Sequence, residues 1–198
     1  IDSAPAIKLC YEKVTKHIAP QQINIVKNLQ IGPTLSETAK VILGKEFSHK
    51  LKDFISEFKY EYDQILLSKT NAYKGANEIL KELKNRGNKI AIATNKRKEP
   101  TLKIIEHLNW GDYFNWVACL DSESTKIRNK SELVRSILAN EIDFRESFFV
   151  GDTLNDASCA KENRLRFIKA SYGYSEENGW DNFEIYQDIS NPISLLEI

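Results

Sequence analysis

Only three cysteines occur among 198 residues, and Cys10, Cys119 and Cys159 lie far apart with no Cys-x-x-Cys pair. That spacing argues against a disulfide framework and against a cysteine zinc site, and it suits a reducing cytoplasm. There is no excess of charge either, since 28 basic residues stand against 28 acidic ones. Without a global field there is no general attraction to nucleic acid or to an anionic membrane, so an anionic ligand must be met by local groups. No apolar run approaches the ~20 residues that a membrane-spanning helix needs. The opening Ile1-Asp2-Ser3 lacks the basic and then apolar pattern of a secretory signal. It also lacks an initiator Met, and the natural polypeptide is expected to begin further upstream. No Gly-x-Gly-x-x-Gly follows any apolar run, which disfavours a dinucleotide-binding domain.

What is present divides in two. From Pro5 to about Ser68 the apolar residues recur at three- and four-residue intervals, as at Ile7, Cys10, Tyr11 and Val14, and predict several amphipathic helices. Breaks fall at Ala19-Pro20 and at Ile31-Gly32-Pro33-Thr34, with Ser36 as a candidate N-cap for a helix running towards Leu43. After Tyr73 short apolar runs alternate with helical segments, the pattern of βα units and a parallel sheet. The spacing predicts a helix ending at Gly87 and strands at Lys89 to Thr94, Trp116 to Leu120, Ser147 to Val150 and Arg166 to Ala170. Helices fall between them, around Leu102 to Leu108 and Leu133 to Leu138. The tail from Trp180 to Ile198 suggests a surface-packed ending. The predicted class is α/β, with a helical segment, 1–72, ahead of a sheet-containing segment, 73–198.

In open α/β sheets ligands collect beyond the carboxyl ends of the strands. Three groups of residues sit there. Gly151-Asp152-Thr153-Leu154-Asn155-Asp156 puts two carboxylates on one strand-to-helix turn, where glycine permits a close approach. A hard cation such as Mg²⁺ takes one or two carboxylates together with phosphate oxygens and water; equally, Asp152 and Asp156 suit the capping of the following helix. Thr94 and Asn95 offer a hydroxyl and a backbone N–H for a phosphate oxygen, or an N-cap for the next helix. Lys130, opening a predicted helix, can neutralise a phosphoryl group. Lys126 and Arg128 lie close to it in sequence and compete for the role.

An apolar strand ending Ala-Thr-Asn-Lys, a lysine at a helix start, and Phe-Val-Gly-Asp-Thr-x-x-Asp, in that order, resemble motifs two, three and four of the haloacid dehalogenase superfamily. Further segments resemble its phosphoglycolate-phosphatase-like branch. These are Leu83-Lys84 to Gly87, Asp112-Tyr113-Phe114 and Ser171-Tyr172-Gly173-Tyr174, together with Ile31-Gly32-Pro33-Thr34-Leu35, which is similar to a cap loop that approaches substrate. Asn129-Lys130-Ser131-Glu132 departs from the frequent Lys-Pro form of motif three and leaves Lys126 open as the phosphate-site lysine. Lys74-Gly75 stands where Pro-Gly is common.

The resemblance spans nearly the whole chain and implies a Rossmann-like parallel sheet with a helical cap. It implies Mg²⁺-dependent hydrolysis of a small phosphomonoester through an aspartyl-phosphate. Asp152 and Asp156 would hold the metal, and Thr94, Asn95 and Lys130 the phosphoryl oxygens. Motif one, Asp-x-Asp-Gly-Thr-Leu, would precede Ile1-Asp2-Ser3, so the nucleophile and the general acid/base are expected upstream and Asp2 has no catalytic role. The strand bearing that motif would lie between the strands ending at Thr94 and Val150, so these residues alone are expected not to complete the sheet. Two alternatives stand beside this reading: a sugar phosphomutase of the same superfamily, and a catalytically silent phosphate-binding or regulatory module. The implied partner is a small phosphorylated metabolite, with no nucleic acid and no membrane.

Overall fold

The computed structural model describes residues 1–121, 127, 129–139, 146–175 and 178–198. The chain divides into two compact units, Ile1–Asn71 and Ala72–Ile198.

The first unit is helical: α1 (Ala4–Ile18), α2 (Ile23–Val26), α3 (Leu35–Leu43) and α4 (Leu51–Ile65). Proline in its first turn suits the start of α1, and Lys16 and His17 in its last turn complement the helix dipole. Cys10, Tyr11, Val14 and Ile18 form its buried stripe. Phe54, Phe58 and Tyr62, four residues apart, form the stripe of α4. The stripes meet where the Tyr11 and Phe58 rings lie 4.4 Å apart. Phe54 is fully buried, a burial that contributes about 1.5–3 kcal/mol. Helix α3 starts earlier than Ser36 predicts. Thr34 is its N-cap, with its hydroxyl accepting from the Glu37 N–H (3.3 Å) while Glu37 Oε2 accepts from the Thr34 N–H (2.8 Å). Glutamate three residues on closes that reciprocal pair for Thr34, and Ser36 has no such partner. Asp2 and Asn71 exchange backbone hydrogen bonds of 2.7 and 3.0 Å, which ties the two ends of the unit together.

The second unit contains α5 (Ala76–Asn85), β1 (Ala91–Thr94), α6 (Lys98–His107), β2 (Trp116–Cys119), α7 (Lys130–Leu138), β3 (Phe148–Gly151), α8 (Leu154–Glu162), β4 (Arg166–Ala170) and β5 (Gln187–Ile189). Helix α5 ends just before Gly87, whose φ of 77° is the left-handed conformation that closes helices. The described strands form two parallel sheets instead of one. In the first, β1 pairs with β2, with Ala91 opposite Trp116 and Thr94 opposite Cys119. In the second, β3 pairs with β4, Phe148 opposite Arg166, and β4 with β5, Ile168 opposite Gln187. Among the described strands, β1 and β3 each have a partner on one edge only. Val150 in β3 stays 40% exposed, whereas strands of parallel sheets are ordinarily covered on both faces.

Helix α7 packs on β1, β2 and α8, and α8 packs on β3 and β4. Ala157 and Ala160 of α8 and Phe167 of β4 form the core of the second sheet, joined by Phe149, Leu165, Trp180, Phe183 and Ile185. The tail is therefore more than a surface ending: Trp180 stacks on Phe167 at 6.1 Å, and Ile189 of β5 is buried. Strand β5 has three residues, too few to show a period in sequence, and it exists because the free edge of β4 accepts it.

Candidate active site

Lys130 at the N-terminus of α7 meets Asp156 of the turn after β3, and Thr94 and Asn95 stand at the carboxyl end of β1. Thr94 ends β1, and its Oγ1 accepts from the Lys96 N–H at 3.2 Å. The capping alternative for Thr94 is not realised. Arg97 occupies the N-cap of α6 without a side-chain capping bond, and Asp121 Oδ1 takes the Lys98 N–H at 2.7 Å. Asn95 lies in the turn between Thr94 and Lys96, partly buried.

Lys130 opens α7 behind Asn129, whose side chain accepts from the Glu132 N–H at 2.9 Å. The start of this helix is fastened to α8 by Asn163, whose Nδ2 donates to Ser131 Oγ (2.9 Å), Ser131 O (3.2 Å) and Cys159 O (2.9 Å). So held, Lys130 Nζ reaches Asp156 Oδ1 at 2.7 Å, with the two side chains 13% and 6% exposed. Lys126 and Arg128, its competitors in sequence, lie outside the described residues.

The two carboxylates of the Gly151–Asp156 turn behave differently. Thr153 is the N-cap of α8, and Asp156 closes its capping box. Asp156 Oδ2 accepts from Thr153 Oγ1 (2.7 Å), Thr153 N (3.1 Å) and Asp152 N (3.3 Å). The capping alternative therefore holds for Asp156, and both of its oxygens are engaged by protein donors. Asp152 does not cap the helix. Its Oδ2 accepts from the Tyr174 N–H at 2.7 Å. Glycine makes room at both places: a Cβ on Gly151 would lie 2.7 Å from Asp156 Cγ, and one on Gly173 would lie 2.7 Å from Asp152 Cγ.

Electrostatics links the strand ends. Burial pushes the Lys96 ammonium down to about 8, the nearby charge of Lys130 adds to this, and Asp152 opposes it. Burial also holds the Asp152 carboxyl above its ordinary value; the Tyr174 N–H pulls it down, Asp156 pushes it up and Lys130 pulls it down. Tyr172, edge-on to Tyr73 at 5.0 Å, is pushed up to about 12 by burial and by the charge of Asp152. The charges of Lys130 and Asp152 thus act on Lys96, and those of Asp156 and Lys130 on Asp152.

Desolvation outweighs the pull of Lys130 on this partly buried carboxylate, and a hard divalent cation would favour its charged form. Among the described residues no cluster of three or more His, Cys, Asp or Glu could cage a metal alone. The donor set fits an ion such as Mg²⁺, which leaves much of its shell to phosphate oxygens and water. Sequence reasoning assigned no role to Lys96 or to the Gly173-Tyr174 backbone. The signal for Lys96 was its place two residues past a strand end; Gly173 offered only the Tyr-Gly-Tyr context.

A family model described as haloacid dehalogenase-like hydrolase matches residues 1–170. The chain belongs to that family. Among curated proteins, the phosphoglycolate phosphatase of Nitrosospira multiformis is 28% identical over 204 residues, spanning 100% of this chain and 88% of that protein. The phosphoglycolate phosphatase of Aquifex aeolicus is 25% identical, spanning 90% of this chain and 83% of its own. A solved haloacid dehalogenase-like hydrolase from Streptococcus pneumoniae shares the fold, with a TM-score of 0.82 at 17% identity over 99% of this chain and 91% of that one. The α/β class of this hydrolase and its likeness to the phosphoglycolate-phosphatase branch are as the motifs imply. Among the described residues no helix is long and apolar enough to cross a membrane.

Proposed function

We propose that this hydrolase is a Mg²⁺-dependent phosphatase acting on a small phosphomonoester through an aspartyl-phosphate. The carrying observation is that Lys130 Nζ is held by Asp156 Oδ1 at 2.7 Å on the turn after β3 that also carries Asp152, which sets a cation and carboxylates side by side as one phosphoryl group and one metal ion require. In this reading Mg²⁺, bound at Asp152, offsets the repulsion between an attacking carboxylate and the phosphoryl group. Lys130 and Lys96 neutralise the phosphoryl oxygens, and Thr94 Oγ1 and the Asn95 N–H orient them. Asp156 holds Lys130 in place and adds its charge to the turn.

The nucleophile and the general acid are carboxylates of a strand outside these 198 residues. That proposal is supported by the one-sided pairing of β1 and β3 among the described strands and by the 40% exposure of Val150 in β3. The nucleophile attacks phosphorus as the ester P–O bond breaks, and the departing alcohol oxygen takes a proton from the acid. Water, giving its proton back to that carboxylate, then cleaves the acyl phosphate and releases inorganic phosphate. The helical unit, residues 1–71, is the cap in this reading, and the protein works in the cytoplasm. The names of the curated relatives make 2-phosphoglycolate the first substrate to test.

The test is phosphate release by the full-length protein with Mg²⁺ from a panel of phosphomonoesters that includes 2-phosphoglycolate and sugar phosphates. Turnover of at least one ester is expected, with a loss of more than about a hundredfold in Asp152→Ala. Wild-type-like turnover by Asp152→Ala refutes the metal assignment. A transferred phosphate on a sugar in place of free phosphate selects the mutase, and silence on every ester with retained phosphate binding selects the regulatory module.

A further inference from the structure

The loop after β4 reaches the site through its backbone. Ala170 ends β4, and the chain turns so that the Gly173 N–H donates to Ala170 O (2.9 Å) and the Tyr174 N–H to Asp152 Oδ2 (2.7 Å). Gly173 lies flat against the same carboxylate, in space that a Cβ would fill at 2.7 Å from Asp152 Cγ. The other end of the loop is anchored to β5. The Ser171 N–H donates to Ile189 O at 3.0 Å, and the Ser171 hydroxyl donates to the Asp188 carboxylate. Asp188 is itself held by Lys169, at 3.2 Å. The Tyr172 ring, packed on Tyr73, braces the middle.

A carboxylate rotates easily about its terminal torsion, and an ion of one size is favoured only when that rotation is stopped. We propose that residues 171–174 form a positioning clamp that pins Asp152 Oδ2 and leaves Oδ1 as the one oxygen offered to the cation. Mg²⁺ takes single carboxylate oxygens in a tight octahedron, whereas Ca²⁺ accepts a wider shell in which carboxylates are often bidentate. The clamp therefore selects Mg²⁺ over Ca²⁺. This inference rests on the reading of Asp152 as the metal ligand and adds the source of its selectivity. Gly173 and Tyr174 act through Asp152 and are positioning residues.

The test is calorimetric titration of the full-length protein with Mg²⁺ and, separately, Ca²⁺, without substrate. Gly173→Ala is expected to weaken Mg²⁺ binding about 10–100-fold and to lower the Mg²⁺/Ca²⁺ preference, with kcat recovering at saturating Mg²⁺. Should Gly173→Ala not fold, Ser171→Ala, which loosens only the far anchor, should move Mg²⁺ affinity the same way, by about tenfold. Wild-type Mg²⁺ affinity and selectivity in a folded Gly173→Ala, or in Ser171→Ala where the first does not fold, overturns the clamp. A wild-type protein that binds no Mg²⁺ overturns the reading of Asp152 as a ligand and the clamp with it.

Discussion

Replacing Asp156 by Ala removes more hydrogen bonds at once than any other single change in the site. The carboxylate accepts from Lys130 Nζ (2.7 Å), Thr153 Oγ1 (2.7 Å), Thr153 N (3.1 Å) and Asp152 N (3.3 Å). With Lys130 only 13% exposed, its ammonium is left in a low-dielectric site without its ion-pair partner. Breaking a buried pair from one side costs about 3–5 kcal/mol. The lost helix cap is part of that sum, since caps alone are worth about 0.5–2 kcal/mol. For a chain of this size each kcal/mol lowers Tm by roughly 2–4 °C, so a fall of about 6–20 °C is expected. Circular dichroism melts and urea unfolding measure it. Asp156→Asn keeps an acceptor for Thr153 and should lose less, about 1–3 kcal/mol. The decisive comparison adds Lys130→Met to Asp156→Ala: with the stranded charge gone, the double variant should be more stable than Asp156→Ala alone. A loss below about 1 kcal/mol in Asp156→Ala, or a double variant less stable than the single, refutes the assignment of Asp156 as the counter-ion of Lys130.

Two further outcomes follow from displaced ionisations. Lys96, pushed down to about 8, loses its proton as pH rises through that value and with it the charge offered to a phosphate. Affinity for inorganic phosphate should therefore fall about tenfold between about pH 7 and pH 9, a slope that Lys96→Met should flatten; an equal slope in that variant removes Lys96 from the site. Cys10, Cys119 and Cys159 are buried, with Cys10 pushed up to about 12 and Cys159 to about 11. Iodoacetamide at about pH 8 should leave all three unmodified in the native protein and label them in urea, and rapid native labelling of any one contradicts the packing around it.

Much of this protein was readable along the chain because its elements obey local rules. The three- and four-residue period through Cys10, Tyr11 and Val14 marked α1, and short apolar runs marked β1 to β4 to within a residue or two. Where local rules compete, they misled. Ser36 looked like an N-cap, yet Thr34 took the position because Glu37 stands three residues beyond it. Strand β5 left no trace in sequence, because Gln187-Asp188-Ile189 becomes a strand only when the edge of β4 is there to pair with it. The site shows the same division. Residue types and order were enough to single out Thr94, Lys130, Asp152 and Asp156 as a set, and capping remained open for Thr94, Asp152 and Asp156 because turn chemistry and ligand chemistry use the same side chains.

Sequence alone determined the order of the main helices and of β1 to β4, the family motifs, and which polar residues stand at strand ends, since these depend on periodicity and on neighbours a few positions apart. Tertiary structure alone decided that Asp156 is the partner of Lys130, that Asp152 accepts a hydrogen bond from a loop twenty-two residues away, and that burial lowers the Lys96 ammonium. Desolvation and charge act through space, and their strength is set by what the fold buries beside each group.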